Sequence, residues 1–236
     1  MRFNILKVVS PFILAAGGLF FALDYRNRDG FCCSRAGWRI CDRFPSRFWK
    51  GAFPAHLQTE GRHVVDALGK RFKLASVNWY GASDENYIPG GLDIGHRSEI
   101  ARTIWRIGFN SVRLPYSDEV VLKNPWIPGR LLAANKDLVG KRVLDILEAV
   151  VNSLTDAGLG VVFNNHITQS TWCCGANPCD AAWYNDYLGP ICRVWQSEEQ
   201  WLENWQIVMA PFVTNSLVIS ADLRNEVRFF NTFLEI

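Results

Sequence analysis

The chain has 236 residues, with 25 Lys plus Arg against 23 Asp plus Glu and a formal net charge of +2. That balance excludes a strongly basic nucleic-acid binder and an acidic solvating tail. With 49% hydrophobic and 13% aromatic residues, the chain is too apolar for intrinsic disorder and long enough to bury a sizeable core.

Arg2 and Lys7 precede an almost wholly apolar run over residues 8–23. A charged n-region followed by an apolar h-region predicts a secretory signal. The run is shorter than the ~20 residues that span a bilayer comfortably. Ala16 and Gly18 offer a small-x-small cleavage site, and bulky Phe20 and Phe21 follow at once. A cleaved signal peptide and an uncleaved anchor over 1–23 therefore both stand. The expectation is a secreted chain, with membrane attachment through 8–23 as the alternative. The seven cysteines fit that compartment. Cys173, Cys174, Cys179 and Cys192 form one group, and Cys32, Cys33 and Cys41 another. Neither shows the doubled C-x2-C pattern of a zinc site, so disulfides in an oxidising compartment are preferred.

Residues 24–60 are rich in Arg, Phe and Trp with weak periodicity and read as a basic, poorly ordered linker. From 24 to 73 there are 11 basic and 5 acidic residues. Such an arm is either a solvated leader or a surface for polyanions and anionic headgroups. From about residue 61 the chain becomes regular. Residues 62–66 and 71–74 flank the turn Ala67-Leu68-Gly69-Lys70, predicting a β-hairpin. A short strand follows over 74–78. Residues 98–107 predict a helix with Ser98 as N-cap and Gly108 as its stop. Ser111–Leu114 reads as a strand ended by Pro115. A long helix is expected over 139–157, with Val143, Ile146, Leu147, Val150 and Leu154 at helical spacing. A strand over 160–164, a helix over 197–213 opened by Ser197-Glu198-Glu199-Gln200, and a strand over 217–223 complete the series.

Strands alternating with helices predict parallel βαβ units, in an open doubly wound sheet or a (β/α)8 barrel. No G-x-G-x-x-G or G-x4-G-K-[ST] follows any strand, so a nucleotide-binding sheet has no positive support. In barrels the residues just past the strand C-termini carry the chemistry. Here those are Asn78-Trp79-Tyr80, Arg113, Asn165-His166 and Asn225-Glu226, which favours the barrel. A carboxylate such as Glu226 at a strand's C-terminal rim, partly desolvated, suits general-acid work. Asn225 offers an amide hydrogen to a substrate hydroxyl. Arg113, flanked by apolar residues, must be paired, either to orient a carboxylate or as a core ion pair. His166 reads either as a site residue or as a satisfied structural histidine. Trp79, Tyr80, Trp172, Trp183 and Tyr184 lie in rim loops. Their flat faces suit stacking on sugar rings, and packing is the alternative for each.

These motifs resemble glycoside hydrolase family 5, the cellulase-like retaining β-glycosidases. The resemblance rests on Leu74-Ala-Ser-Val-Asn78-Trp-Tyr-Gly81, Gly108-Phe-Asn-Ser-Val-Arg113-Leu-Pro, Asn164-Asn-His166 and Asp222-Leu-Arg-Asn225-Glu226, in that order. It covers about residues 60–228. It implies an α/β, (β/α)8 TIM-barrel glycosidase fold. It also implies Glu226 as acid/base and Asn225 as the contact to the sugar 2-hydroxyl. His166 and Arg113 would line the subsite beside the scissile bond and orient the nucleophile. Trp79 and Trp172 are the expected sugar platforms. The partner class is a β-linked polysaccharide or oligosaccharide, with no nucleic acid, metal or cofactor required.

A retaining glycosidase needs two carboxyl groups about 5–5.5 Å apart, and a whole barrel takes ~250 residues. Four of eight strands are legible here. The expectation is therefore the first half of the barrel over 61–228, with a divergent tail over 229–236. That half holds the acid/base and lacks the nucleophile, so the chain is expected to be inactive or nearly so. The alternative is a carbohydrate-binding or membrane-tethered remnant.

Overall fold

The computed structural model describes residues 31–34, 37–40, 57–172 and 177–228. The chain divides into two compact units, Met1–Lys50 and Gly51–Ile236. The first holds an antiparallel pair, β1 (Phe31–Ser34) and β2 (Gly37–Ile40). These strands fall inside the segment 24–60, where no regular structure is expected. The apolar run over 8–23 lies outside the described residues, as do Cys173 and Cys174. Among the described residues no helix is long and apolar enough to cross a membrane.

The second unit opens with a three-stranded antiparallel sheet of β3 (Gln58–Glu60), β4 (His63–Val65) and β5 (Arg71–Phe72). The predicted hairpin is its β4–β5 pair. Asp66 closes the turn, its Oδ1 accepting from the Leu68 and Lys70 N–H groups, both at 2.9 Å. Strand β3 extends the regular structure below residue 61. Three exposed polar residues, Gln58, Thr59 and Glu60, compose it, so no apolar alternation announces it.

A four-stranded parallel sheet follows, in the order β6 (Ser76–Asn78), β7 (Ser111–Ser117), β8 (Gly160–Ile167) and β9 (Val218–Asp222). Sequential order with helical crossovers is the arrangement of consecutive barrel units. Helix α1 (Arg97–Arg106) links β6 to β7. The short α2 (Asp118–Lys123) and the longer α3 (Val143–Asp156) link β7 to β8. Helix α4 (Glu198–Met209) precedes β9.

One face of the sheet presents Val77, Val112, Leu114, Tyr116, Val161 and Phe163 to these helices. They meet Ala101, Ile146, Leu147, Val150, Leu154, Trp205 and Phe212. Tyr116 stands edge-on to Trp205 at 5.5 Å between ring centroids, and Phe163 meets Phe212 at 5.4 Å. The opposite face runs Asn78–Arg113–Val162–Ser220 in register, then Pro115–Asn164–Asp222. Side chains alternate along a strand, so one face is apolar and packed while the other is largely polar.

Several element ends differ from expectation, each for a local reason. Helix α1 is capped by His96, whose Nδ1 accepts from the Ser98 N–H at 3.3 Å, not by Ser98. Helix α3 starts at Val143 because Gly140 adopts φ +81°, a left-handed conformation that breaks a helix. Helix α4 begins at the predicted Ser197 cap, with Oγ accepting from the Gln200 N–H at 3.3 Å. It ends at Met209 and passes into a 3-10 turn at Ala210–Phe212, where Pro211 lacks the N–H that an α-helix would use.

Strand β7 runs through Pro115 to Ser117 instead of stopping. The Arg113 carbonyl accepts from the Trp79 N–H at 3.0 Å, so Arg113 turns its backbone groups toward β6. Pro115, two residues on, turns the same way, but β6 has already ended at Asn78. The missing proline N–H therefore breaks no ladder bond.

Candidate active site

The polar face and the strand C-termini form the site. Arg113, at the middle of the face, is half-buried and paired as expected. Its Nε and Nη2 lie 2.8 and 2.7 Å from Asp222 Oδ2, and Nη2 also donates to Asn225 Oδ1 at 3.0 Å. Asn225 is fixed a second time, its N–H donating to the Asn165 carbonyl at 3.0 Å. The Arg113 guanidinium thus holds the Asp222 carboxylate and the Asn225 amide oxygen together, while β8 fixes the Asn225 backbone.

His166 lies within β8 rather than after it, because the strand continues to Ile167. Its Nδ1 is 2.7 Å from Asn164 Oδ1. The Asn164 amide nitrogen points instead toward the Asn165 and Asp222 carbonyls. This network assigns the ring proton to Nδ1 and leaves Nε2 as an acceptor. Burial, then the nearby Arg113 and Arg224 charges, hold the imidazole down at about 4. His166 is therefore neutral between pH 5 and 7. Its folded value lies below the ordinary one, so the folded state resists protonation as pH falls from about 6.5 to 4, and stability declines across that window. The His166 ring protons are expected to titrate in NMR with a midpoint near 4. A midpoint of 6 or above would contradict the assignment.

Glu226 follows Asn225 at φ +43°. Its side chain is 55% accessible and lies 2.8 Å from Arg228 Nη2. The desolvation expected of it is not present in this arrangement. Its charge still acts on His166, as does that of Asp222.

Behind the rim, Arg224 is buried. Its Nη1 lies 3.2 Å from Asp118 Oδ2 and 2.8 Å from Asn165 Oδ1, and its Nη2 donates to Thr168 Oγ1 at 2.9 Å. Asp118 also accepts from the Asn165 and Asn204 amides at 2.9 and 3.2 Å. Burial pushes the Asp118 carboxyl up to about 6, against the opposing pull of Arg224 and the amide donors. This cluster ties the turn bearing Asn225 and Glu226 to α2, β8 and α4.

A cleft of about 160 Å³ opens at the β6 side of the same face. Asn78, Tyr80, Asp84, Arg113, His166 and Trp172 are among its lining residues. Trp172 is 77% exposed and meets Tyr80 edge-on at 6.2 Å. Trp79 does not take the platform role expected of it. It is 7% exposed within the core, and its indole N–H donates to the Gly90 carbonyl at 2.9 Å. Side-chain alternation turns it away from the face that Asn78 occupies. Trp183 likewise packs beside Trp201 at 6.0 Å, outside the cleft.

Two acidic residues of the site escaped the sequence reading. Asp222 opens the motif Asp222-Leu-Arg-Asn225-Glu226, where the sequence gives it no role. Asp84 gave no signal beyond following the glycine of the strand-end motif.

The loop carrying Trp172 is firmly tied. Cys179 and Cys192 form a disulfide with Cα atoms 5.5 Å apart. Buried Glu119 accepts from Arg193 at 2.6 and 2.8 Å and from the Ser170 N–H at 2.7 Å. The Thr171 N–H donates to the Ser83 carbonyl at 3.2 Å, joining the two walls of the cleft.

The family model described as cellulase, glycosyl hydrolase family 5, matches residues 65–232. A glycosyl hydrolase 5 family protein of Chamaecyparis obtusa is 29% identical over 75% of this chain and 34% of its own length. An endoglucanase of Paenibacillus polymyxa is 25% identical over 72% of this chain and 40% of its own. Among solved structures, a variant endocellulase from Pyrococcus horikoshii in complex with cellotetraose superposes with TM-score 0.60 at 26% identity. That match covers 73% of this chain and 43% of the other. The catalytic domain of the major endoglucanase from Xanthomonas campestris gives TM-score 0.59 at 26% identity, covering 73% and 46%. The chain thus spans about a third to two fifths of the length of these curated relatives.

Proposed function

Because the chain belongs to the cellulase family, glycosyl hydrolase family 5, we propose that it carries the acid/base side of a retaining β-glycosidase site for β-linked glucan-type glycans. In this reading Glu226 protonates the leaving glycosidic oxygen, and Asn225 donates its amide to the sugar 2-hydroxyl. Arg113 and neutral His166 line the subsite beside the scissile bond. The observation that supports the reading is the Arg113–Asp222–Asn225 linkage, which holds Asn225, the residue before Glu226, at the C-terminal end of the sheet's polar face. His166 Nε2, left as an acceptor, suits a sugar hydroxyl.

The second half of the mechanism needs a nucleophile about 5–5.5 Å from the acid/base. Among the described residues no carboxylate matches the family's nucleophile at the end of strand seven. Glu235, the one carboxylate after Glu226, lies outside the described residues. In this reading the described part of the site binds β-glucan oligosaccharides through its acid/base side. The oxidised Cys179–Cys192 pair supports an extracellular setting, with residues 1–23 as its leader or anchor.

Calorimetry of the purified chain with cellotetraose is expected to give heat. Absence of heat at millimolar cellotetraose would overturn the binding.

A further inference from the structure

Glu226 holds a backbone conformation that its residue type disfavours. Its φ of +43° lies in the left-handed region, where the Cβ of an L-residue crowds the backbone. A non-glycine residue persists there when the surrounding structure fixes it from both sides. On the C-terminal side the Arg228 N–H donates to the Ala181 carbonyl at 2.7 Å. On the N-terminal side the anchor is Arg224, whose side chain is 3% accessible.

Two routes lead from this turn to Asp118, the first residue of α2, whose side chain is fully buried. The direct route is the ion pair from Arg224 Nη1 to Asp118 Oδ2. The other runs through Asn165. Its carbonyl accepts from the Asn225 N–H at 3.0 Å, and its Oδ1 accepts from Arg224 Nη1 at 2.8 Å. The Asn165 amide that sets this orientation donates in turn to Asp118 Oδ1 at 2.9 Å. Both routes therefore end on one carboxylate.

The charge on that carboxylate matters to both. When ionised, Asp118 balances the buried guanidinium and accepts from Asn165, Asn204 and Arg224. Oδ1 already holds two amide donors, so a proton falls to Oδ2, the oxygen that faces Arg224. The new O–H then meets a donor where an acceptor is needed, and the buried cation loses its counter-charge. Moving the guanidinium toward water relieves that cost and releases the turn. The titratable and charged neighbours of the pair are Tyr116 from β7 and Asp180 from the loop after β8. Asn204 on α4 and Gln196 before it are neutral. Glu119, next in sequence, pairs instead with Lys123 and Arg193. Burial first, against the pull of Arg224 and the amides, brings the Asp118 carboxyl to about 6.

We propose that Asp118 is a positioning residue for the Asn225–Glu226 turn: through Arg224 and Asn165 its carboxylate holds Glu226 in the left-handed conformation, and the turn relaxes when that carboxylate takes up a proton. What the turn does for a glycan rests on the acid/base reading above, whereas the latch itself is a property of the folded chain. Acidification then weakens glycan binding through a group buried behind the rim.

The test is NMR of the full chain between pH 7 and pH 5, following the Asp118 carboxyl carbon and the Asn225 and Glu226 backbone amides. Both amides are expected to move with the midpoint of the Asp118 carboxyl, near 6, while those of Val112 and Phe163 in the core stay in place. In Asp118→Asn, which keeps the size and the Oδ1 acceptor, the two amides are expected to lose that midpoint and to lie near their wild-type positions at pH 5. Amides that ignore the Asp118 midpoint in wild type would overturn the proposal even if the variant fails to fold, as would amides that keep it in a folded variant. Calorimetry with cellotetraose reads the consequence. Wild-type affinity is expected to fall about fivefold from pH 7 to pH 5, as for one lost hydrogen bond, with Asp118→Asn flat across that range. Equal wild-type affinity at both pH values would overturn the positioning role. Absence of any wild-type binding would overturn the glycan reading, while the amide titration still decides the latch.

Discussion

Replacing Arg224 with Met is expected to remove about 3–5 kcal/mol of folding stability at pH 7, the cost of leaving a buried charge without its partner. Asp118 is fully buried, and Arg224 is its counter-ion at 3.2 Å. The Asn165 and Asn204 amides that also reach Asp118 satisfy its lone pairs but supply no positive charge. The defect has a predictable pH dependence. Burial raises the folded-state value of Asp118 to about 6, above its unfolded value. The folded state therefore takes up that proton at higher pH than the unfolded chain. The stability arising from this uptake is fully present below the unfolded value and is lost as pH rises through 6. Without Arg224 the carboxyl neutralises more readily still. The gap between wild type and Arg224→Met is thus expected to narrow from pH 7 to pH 5. Urea unfolding followed by tryptophan fluorescence at both pH values measures it. An equal gap at both, or one below about 1 kcal/mol, would show that the ion pair does not hold the rim turn.

The second large effect is expected at Gly81. Any side chain there meets two backbone atoms of the folded-back loop at about 2.5 Å, and neither is the yielding end of a flexible chain. Its φ of +130° is one that L-residues rarely adopt. Gly81→Ala is expected to lose about 2–4 kcal/mol, combining backbone strain with overpacking. The contact from the Gly90 N–H to the Tyr80 carbonyl would open first. Hydrogen exchange at Gly90 is therefore expected to accelerate more than at Val112 or Phe163 in the core. Uniform acceleration would locate the damage elsewhere.

The strand-and-helix alternation was legible because apolar periodicity is a local property. Helix α3 could be read from Val143, Ile146, Leu147, Val150 and Leu154, all of which are buried. The residues Arg113, His166 and Asn225 are legible because each is a polar residue in or just past an apolar strand, although Arg113 and His166 lie inside β7 and β8. What escaped depends on contacts distant in sequence. The passage of β7 through Pro115 follows from where β6 ends, which residues 111–117 alone do not reveal. The N-cap at His96 is set partly by Asn135, whose Oδ1 takes the Arg97 N–H at 3.0 Å. Trp79 and Trp172 are the same residue type at two rim loops, yet one is core and the other is open to solvent. The parity of Trp79 relative to Asn78 decides this, and it becomes readable once the face bearing Asn78 is known. Asp84 belongs to no periodic segment, and only the cleft identifies it.

Pro115 has a further consequence. Past Asn78, β7 has no strand on its β6 side among the described residues, which would ordinarily offer an extended peptide a place to pair. The proline withholds the donor that an incoming strand would need there. A sugar chain makes no such ladder and loses nothing. The floor of the cleft is thus guarded against peptide insertion while staying open to a ligand without an amide backbone.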